Sequence, residues 1–182
     1  CGLTYEDLSP LNPRMIYASF TAYGEEGPEK DREGFDLVAY WARSGLMDLV
    51  RHRGAEPAQS LPGMGDHPSG VAVYANIVTA LLRRERIGKG GKVHTSLLAN
   101  GLWSVSCIAQ AVFGGSDLAG FRSPEKAHFN RALYETEDHR WLQFTMLQSA
   151  EQFDRFVVAL EAPELLSDAR FTTVESRFSH AL

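Results

Sequence analysis

Cysteine is nearly absent. Cys1 and Cys107 are the two in 182 residues, and their separation rules out a disulfide framework or a cysteine-based metal site. That scarcity fits a reducing, cytoplasmic setting. Long apolar runs are missing too. No stretch reaches the ~20 residues of a membrane-crossing helix, and no signal-peptide pattern opens the chain. Positive charge is in deficit, with 18 Lys and Arg against 23 Asp and Glu for a net −5. With no basic cluster, the composition argues against a nucleic-acid partner. The histidines (His52, His67, His94, His128, His139 and His180) show no pair at helical metal-ligand spacing, so no zinc site is expected. What remains is 44% hydrophobic and 23% charged, the balance of a globular protein with room for a real core. The chain opens on Cys1 and stops inside a helical pattern at Ser179-His180-Ala181-Leu182, which predicts an internal piece of a longer protein.

Alternation and spacing predict the elements. Thr4 and Asp7 form a capping-box pattern around a short helix that Pro10 and Pro13 end. Met15 to Phe20 reads as a buried strand and Gly24 to Gly34 as a loop. Phe35 to Val50 reads as a helix with Leu37, Val38, Trp41, Leu46 and Leu49 as its apolar set. A second loop runs from Arg51 to Pro62. From Val71 onward, Val71, Tyr74, Ala75, Val78, Leu81 and Leu82 recur at helical spacing. Arg83, Arg84 and Arg86 close that helix and Gly88 stops it. Lys92 to Leu97 alternates like a strand. Leu97 to Phe113 reads as one helix with Leu98, Leu102, Val105 and Ala109 on its apolar side. Ser116 to Asn130 has no periodicity. Beyond it come a hairpin, Ala132–Thr136 with Arg140–Thr145, an amphipathic helix Ala150–Leu160, and a last helix from Val174.

The chemistry gathers at Leu61-Pro62-Gly63-Met64-Gly65-Asp66-His67-Pro68-Ser69-Gly70. Asp66 stands between glycines at or just before a helix N-terminus, where the dipole favours its ionised form. The glycines let a substrate approach the backbone. Two readings stay open on spacing alone: a nucleophile toward an activated acyl group, or a plain helix cap. His67 either tunes Asp66 or is an ordinary loop histidine. Gly88-Lys89-Gly90-Gly91-Lys92 fails as a phosphate loop, because its glycines follow a helix instead of joining a strand to one. Ser96 lacks nucleophile-elbow glycines and an acid-base pair, which disfavours a serine hydrolase.

Several segments, taken in order, carry a resemblance. Leu11-Asn12-Pro13-Arg14-Met15-Ile16-Tyr17-Ala18-Ser19, the Gly24–Pro28 loop, Asp31-Arg32-Glu33-Gly34-Phe35-Asp36-Leu37, Gly65-Asp66-His67, the Arg83–Lys92 helix end and turn, and Asp168-Ala169-Arg170-Phe171 together resemble the class III CoA-transferase family. Its wider group includes formyl-CoA and carnitine-CoA transferases and α-methylacyl-CoA racemases. The resemblance runs from about Gly2 to Arg177 and implies an α/β fold, a Rossmann-like large domain with a smaller α+β domain. On that reading residues 1–115 belong to the large domain, 116–130 link, and 131–182 begin the small domain. The family pairs two chains as interlocked rings, so a homodimer is implied.

The resemblance also implies a mechanism. Asp66 would attack an acyl-CoA thioester and pass through an aspartyl-CoA thioester to a carboxylic acid acceptor, with Arg32, Phe35, Asp36, Gly65 and His67 in the vicinity of substrate and CoA. Backbone N–H groups near Gly65 would steady the oxyanions. No cofactor beyond the CoA thioester substrate and no metal are implied. The racemases place a histidine where this chain has Phe35, a departure that favours transfer. The glycine-rich lid of some transferases is replaced by Arg122-Ser123-Pro124-Glu125-Lys126-Ala127-His128. A non-catalytic acyl-CoA binder on the same scaffold is the third reading.

Overall fold

The structure, a computed structural model, describes residues 2–51, 54–118, 133–143, 149–173, 176, 177 and 180. The expectations placed on Cys1, His52, the Arg122–His128 segment, most of the 116–130 link, the outer hairpin residues Ala132, Phe144 and Thr145, and the start of the last helix at Val174 lie outside the described residues. The chain divides into two compact units, residues 1–116 and 117–182.

The first unit is built on two parallel strands, β1 (Ile16–Thr21) and β2 (Gly91–Ser96), with Ile16 opposite Gly91 and Thr21 opposite Ser96. Parallel strands need a crossover, and helix α3 (Asp66–Ile87) supplies it. Ahead of β1, α1 (Tyr5–Leu8) carries the expected capping box, Thr4 Oγ1 accepting from Asp7 N–H and the Asp7 carboxylate accepting from Thr4 N–H. α3 ends at Gly88, whose φ of 73° suits the left-handed turn. The chain then closes at once onto the strand. Gly90 N–H donates to the Pro13 carbonyl and Gly91 N–H to that of Met15, both at 2.9 Å, and Arg83 donates to the Gly90 carbonyl. A Cβ on Gly90 would fall 1.9 Å from the Met15 oxygen. The glycine turn is therefore a clasp between helix and strand, its amides already engaged.

Two sequence expectations are corrected here. The single helix from Phe35 to Val50 is a π-helix (Leu37–Ala42) and a short α2 (Leu46–Leu49), separated by Gly45 at φ 90°. Its buried residues are Ala39, Tyr40 and Trp41, while Val38 is half exposed. The helix from Leu97 to Phe113 breaks at Val105 into α4 (Leu97–Ser104) and α5 (Ser106–Phe113), and Leu97, Gly101 and Val105 are the residues that turn inward. On α3 the apolar stripe points outward: Val71 and Tyr74 are about two-thirds exposed, and Val78 and Leu82 are exposed as well. The face toward the strands carries buried Ser69 and Ala80, with Ala72, Val73, Asn76 and Ile77 half-buried.

The core of the unit joins the π-helix to α4, through Ala39, Tyr40 and Leu97 with Ala22, Tyr23 and Leu46 packed around them. Gly101 makes the approach possible, since a Cβ there would lie 2.6 Å from the Tyr40 carbonyl oxygen. The Tyr40 hydroxyl also bonds Ser104 Oγ at 2.7 Å.

The second unit holds an antiparallel hairpin, β3 (Leu133–Glu135) with β4 (Trp141–Gln143), and α6 (Ala150–Ala159), capped reciprocally by Ser149 and Gln152. Phe153 and Val157 are buried on α6. Two short 3₁₀ turns follow, Pro163–Ser167 and Ala169–Phe171. At their junction Arg170 grips the Asp168 carboxylate, the shortest contact 2.6 Å, and holds its pKa down to about 2. Phe171 packs against Phe153, and the Arg177 guanidinium lies 3.9 Å from the Phe153 ring centroid.

Candidate active site

Asp66 is the first residue of α3, and its exposed side chain makes no cap bond. The N-cap is Gly65, so the capping reading of Asp66 does not describe this helix. The turn ahead of it is shaped by Gly63 at φ 82°, beside the His67 ring. His67 N–H donates to the Gly63 carbonyl at 3.0 Å and Ser69 N–H to the Gly65 carbonyl at 3.2 Å. Pro68 costs the helix nothing in its first turn, where its missing N–H has no partner to lose. α3 spans about 33 Å at 1.5 Å per residue and returns along the shorter β2 through the Gly88–Gly90 clasp. Asp66 therefore stands toward the carboxyl ends of the strands, where ligands bind in open α/β sheets.

What holds Asp66 there comes from 30 residues upstream. Asp36 is 7% exposed. One carboxylate oxygen accepts the Leu37 N–H at 2.8 Å, and the other accepts the Gly65 N–H at 3.2 Å. A single buried carboxylate thus starts the π-helix and ties down the residue before Asp66. Contact across this joint is tight. A Cβ on Gly65 would come within 2.6 Å of Tyr40 Cβ and Cγ and 2.8 Å of Asp36 Cβ. Phe35 precedes this anchor, with its carbonyl accepting from Val38 and Ala39 at the start of the π-helix and its ring 82% exposed.

Of the residues the sequence pointed to, Asp36 and Gly65 are in direct contact, and they bring Phe35, Asp66 and His67 to either side of that contact. Arg32 is directed elsewhere. Its guanidinium pairs with Glu29 at 2.8 Å and lies 5.9 Å from the Tyr23 ring centroid. The Gly65 amide, offered by the sequence to an oxyanion, is engaged by Asp36, and the His67 and Ser69 amides are engaged within the turn. Tyr40 was missed. Its Cβ and Cγ form the surface on which Gly65 sits, and only the glycine at position 65 hinted at such a neighbour.

The model of CoA-transferase family III matches residues 1–181. The chain belongs to that family. Among curated relatives it is 32% identical to the cinnamoyl-CoA:phenyllactate CoA-transferase of Clostridium sporogenes, over 96% of this chain and 43% of that one. It is 31% identical to the succinyl-CoA:glutarate CoA-transferase of Mus musculus, over 94% of this chain and 39% of that one. The chain thus spans less than half the length of these family III relatives. Among solved structures, a CAIB/BAIF family protein from Brucella suis superposes with a TM-score of 0.72 at 27% identity, covering 98% of this chain and 47% of that one. The fold is that of family III CoA-transferases, with mixed helices and strands. Among the described residues, no helix is long and apolar enough to cross a membrane.

Proposed function

We propose that the protein moves coenzyme A from an acyl-CoA to a carboxylic acid, with Asp66 as the group that carries the acyl and CoA intermediates. The observation that supports this most is the exposed carboxylate at the head of α3, on a backbone pinned by the buried Asp36. In the first step an Asp66 oxygen attacks the thioester carbonyl and the C–S bond breaks, giving a mixed anhydride and CoA thiolate. The thiolate attacks the aspartyl carbonyl and releases the donor carboxylate, leaving an aspartyl-CoA thioester. The acceptor carboxylate then attacks that thioester, and the freed thiolate takes the new acyl group from the second anhydride. Each bond broken is replaced by one of similar energy, so a well-placed carboxylate suffices and the chemistry needs no cofactor or metal.

Asp66 on the full-length protein should gain the mass of a CoA thioester when acyl-CoA is supplied without acceptor. Absence of that adduct under turnover would overturn the assignment. The racemase alternative needs a proton carrier, and Phe35 has no ionisable group. A 2-methylacyl-CoA incubated in deuterated water should therefore take up no α-deuterium, and rapid uptake would move the protein to the racemase side.

The same reading makes the protein a homodimer. Val71, Tyr74, Trp103 and Phe113 are each two-thirds or more exposed, an apolar surface of the kind that obligate partners cover. Light scattering on the full-length protein should give twice the chain mass. The two relatives are named for an aryl acid pair and a dicarboxylate pair at nearly equal identity, so the choice of acid falls to the side chains around Asp66.

A further inference from the structure

The loop that delivers Asp66 is irregular for most of its length. Residues 54–61 form no helix or strand, and a turn over residues 62–65 leads straight into α3. Backbone of that kind keeps its freedom unless something outside it holds on. Here the hold comes from one six-residue element, the π-helix Leu37–Ala42. Its large buried residues are neighbours, Tyr40 at 5% and Trp41 at 8% exposure. Tyr40 meets Gly65 through its Cβ and Cγ. Trp41 reaches further back along the loop, where its indole N–H donates to the Ala58 carbonyl at 2.8 Å. Asp36, the cap of the same helix, accepts the Gly65 N–H at 3.2 Å. The stretch from Ala58 to Gly65 is therefore clamped at both ends by a single element, and Asp66 is the next residue.

The two clamps differ in strength. An N–H···O bond of 2.8 Å is near the short end of the ordinary range, and 3.2 Å is its long limit. The Gly65 bond by itself is a long tether, on which any swing of the loop would pull. The Trp41 bond takes up that pull at Ala58, before it reaches Gly65. Its value lies in place more than in stability, because Ala58 is exposed and its carbonyl could bond water instead. Such π-segments are rare and recur at functional sites. This one, closed by Arg43 N–H on the Val38 carbonyl at 2.9 Å, lets Asp36, Tyr40 and Trp41 all act on one loop.

Resting on the reading of Asp66 as the nucleophile, we infer that Trp41 is a positioning residue for the transfer: its indole N–H, by fixing Ala58, keeps Asp66 on the line of attack. A shift near 1 Å at a reacting group costs about a hundredfold in rate. With Asp36 still holding Gly65, loss of the Trp41 bond releases the loop only in part, so a smaller loss is expected. It should fall on the attack and not on the binding of acyl-CoA.

Two variants of the full-length protein separate the bond from the bulk. Trp41→Phe removes the N–H together with part of the fused ring. In the second, 3-benzothienylalanine takes the place of Trp41, keeping the fused-ring shape with sulfur where the N–H stood. Both should form the Asp66 CoA thioester about tenfold more slowly in a single turnover, with the acyl-CoA KM within about twofold of wild type. The benzothienyl variant should keep its melting temperature. A wild-type adduct rate in that variant would overturn the inference, even where Trp41→Phe is slow or fails to fold, since packing alone would then explain the residue. A rate that falls only in step with the fraction of folded protein would overturn it too. No adduct in the wild-type protein would instead overturn the Asp66 reading, and this inference with it.

Discussion

Asp66→Ala in the full-length protein is expected to lower CoA transfer by roughly 10⁴-fold or more, the scale of losing a covalent nucleophile, with little change in thermal stability. The two halves of that expectation come from one geometry. The Asp66 side chain is exposed and makes no cap bond, so its removal takes from the fold only the favourable meeting of an acid with the helix dipole, about 0.3–1 kcal/mol. Its chemistry, in contrast, has no substitute nearby. Asp36 is buried and bonded on both oxygens, and His67 offers no carboxylate to hold an acyl group. Asp66→Asn refines the test, because it keeps size and polarity while removing the charge that attacks. Near-normal turnover in either variant would sink the assignment. Transfer lost together with a large fall in melting temperature would point instead to a structural role.

Local chemistry was legible wherever a few neighbouring residues decide the outcome. The Thr4–Asp7 capping box, the strand near Ile16, the stop at Gly88 and the hairpin around Glu137-Asp138-His139 all follow from side chains within four positions of one another. What spacing could not supply is partnership across the chain. Periodicity grouped Val71, Tyr74 and Val78 on one face, and it did not say that Ser69 and Ala80 would be the buried residues of α3. Tyr40 and Gly101 meet across 61 positions, a contact no local spacing names. At the candidate site, Asp66 and its glycines stood out locally. The Asp36 carboxylate on the Gly65 amide did not, because nothing near either residue names the other. Family resemblance brought both segments to attention, and the fold gives the physical reason they belong together.

That partnership makes Gly65 the position where the smallest change should do the most harm. Gly65→Ala adds one methyl group to a backbone that tolerates it, since φ is −97° and ψ −33°, so no conformational strain enters through the chain itself. The damage is steric. The new Cβ would meet Tyr40 Cβ and Cγ at 2.6 Å and Asp36 Cβ at 2.8 Å, and none of these atoms is the free end of a flexible side chain. Either the π-helix or the head of α3 must retreat. Retreat stretches the 3.2 Å bond from Gly65 N–H to Asp36, leaving a buried carboxylate short of a partner. Overpacking of this kind costs about 1–3 kcal/mol, and a lost bond to a buried charge adds a similar amount. Asp66 moves with its neighbour, and a displacement near 1 Å is enough to cost about a hundredfold in rate. Asp36→Ala approaches the same joint from the other side, removing the acceptor without adding bulk. It should show the same paired loss of melting temperature and kcat, while CoA thioester binding, read as KM, moves less. A Gly65→Ala protein with wild-type stability and turnover would show that the Asp36–Gly65 contact does not hold Asp66 in place.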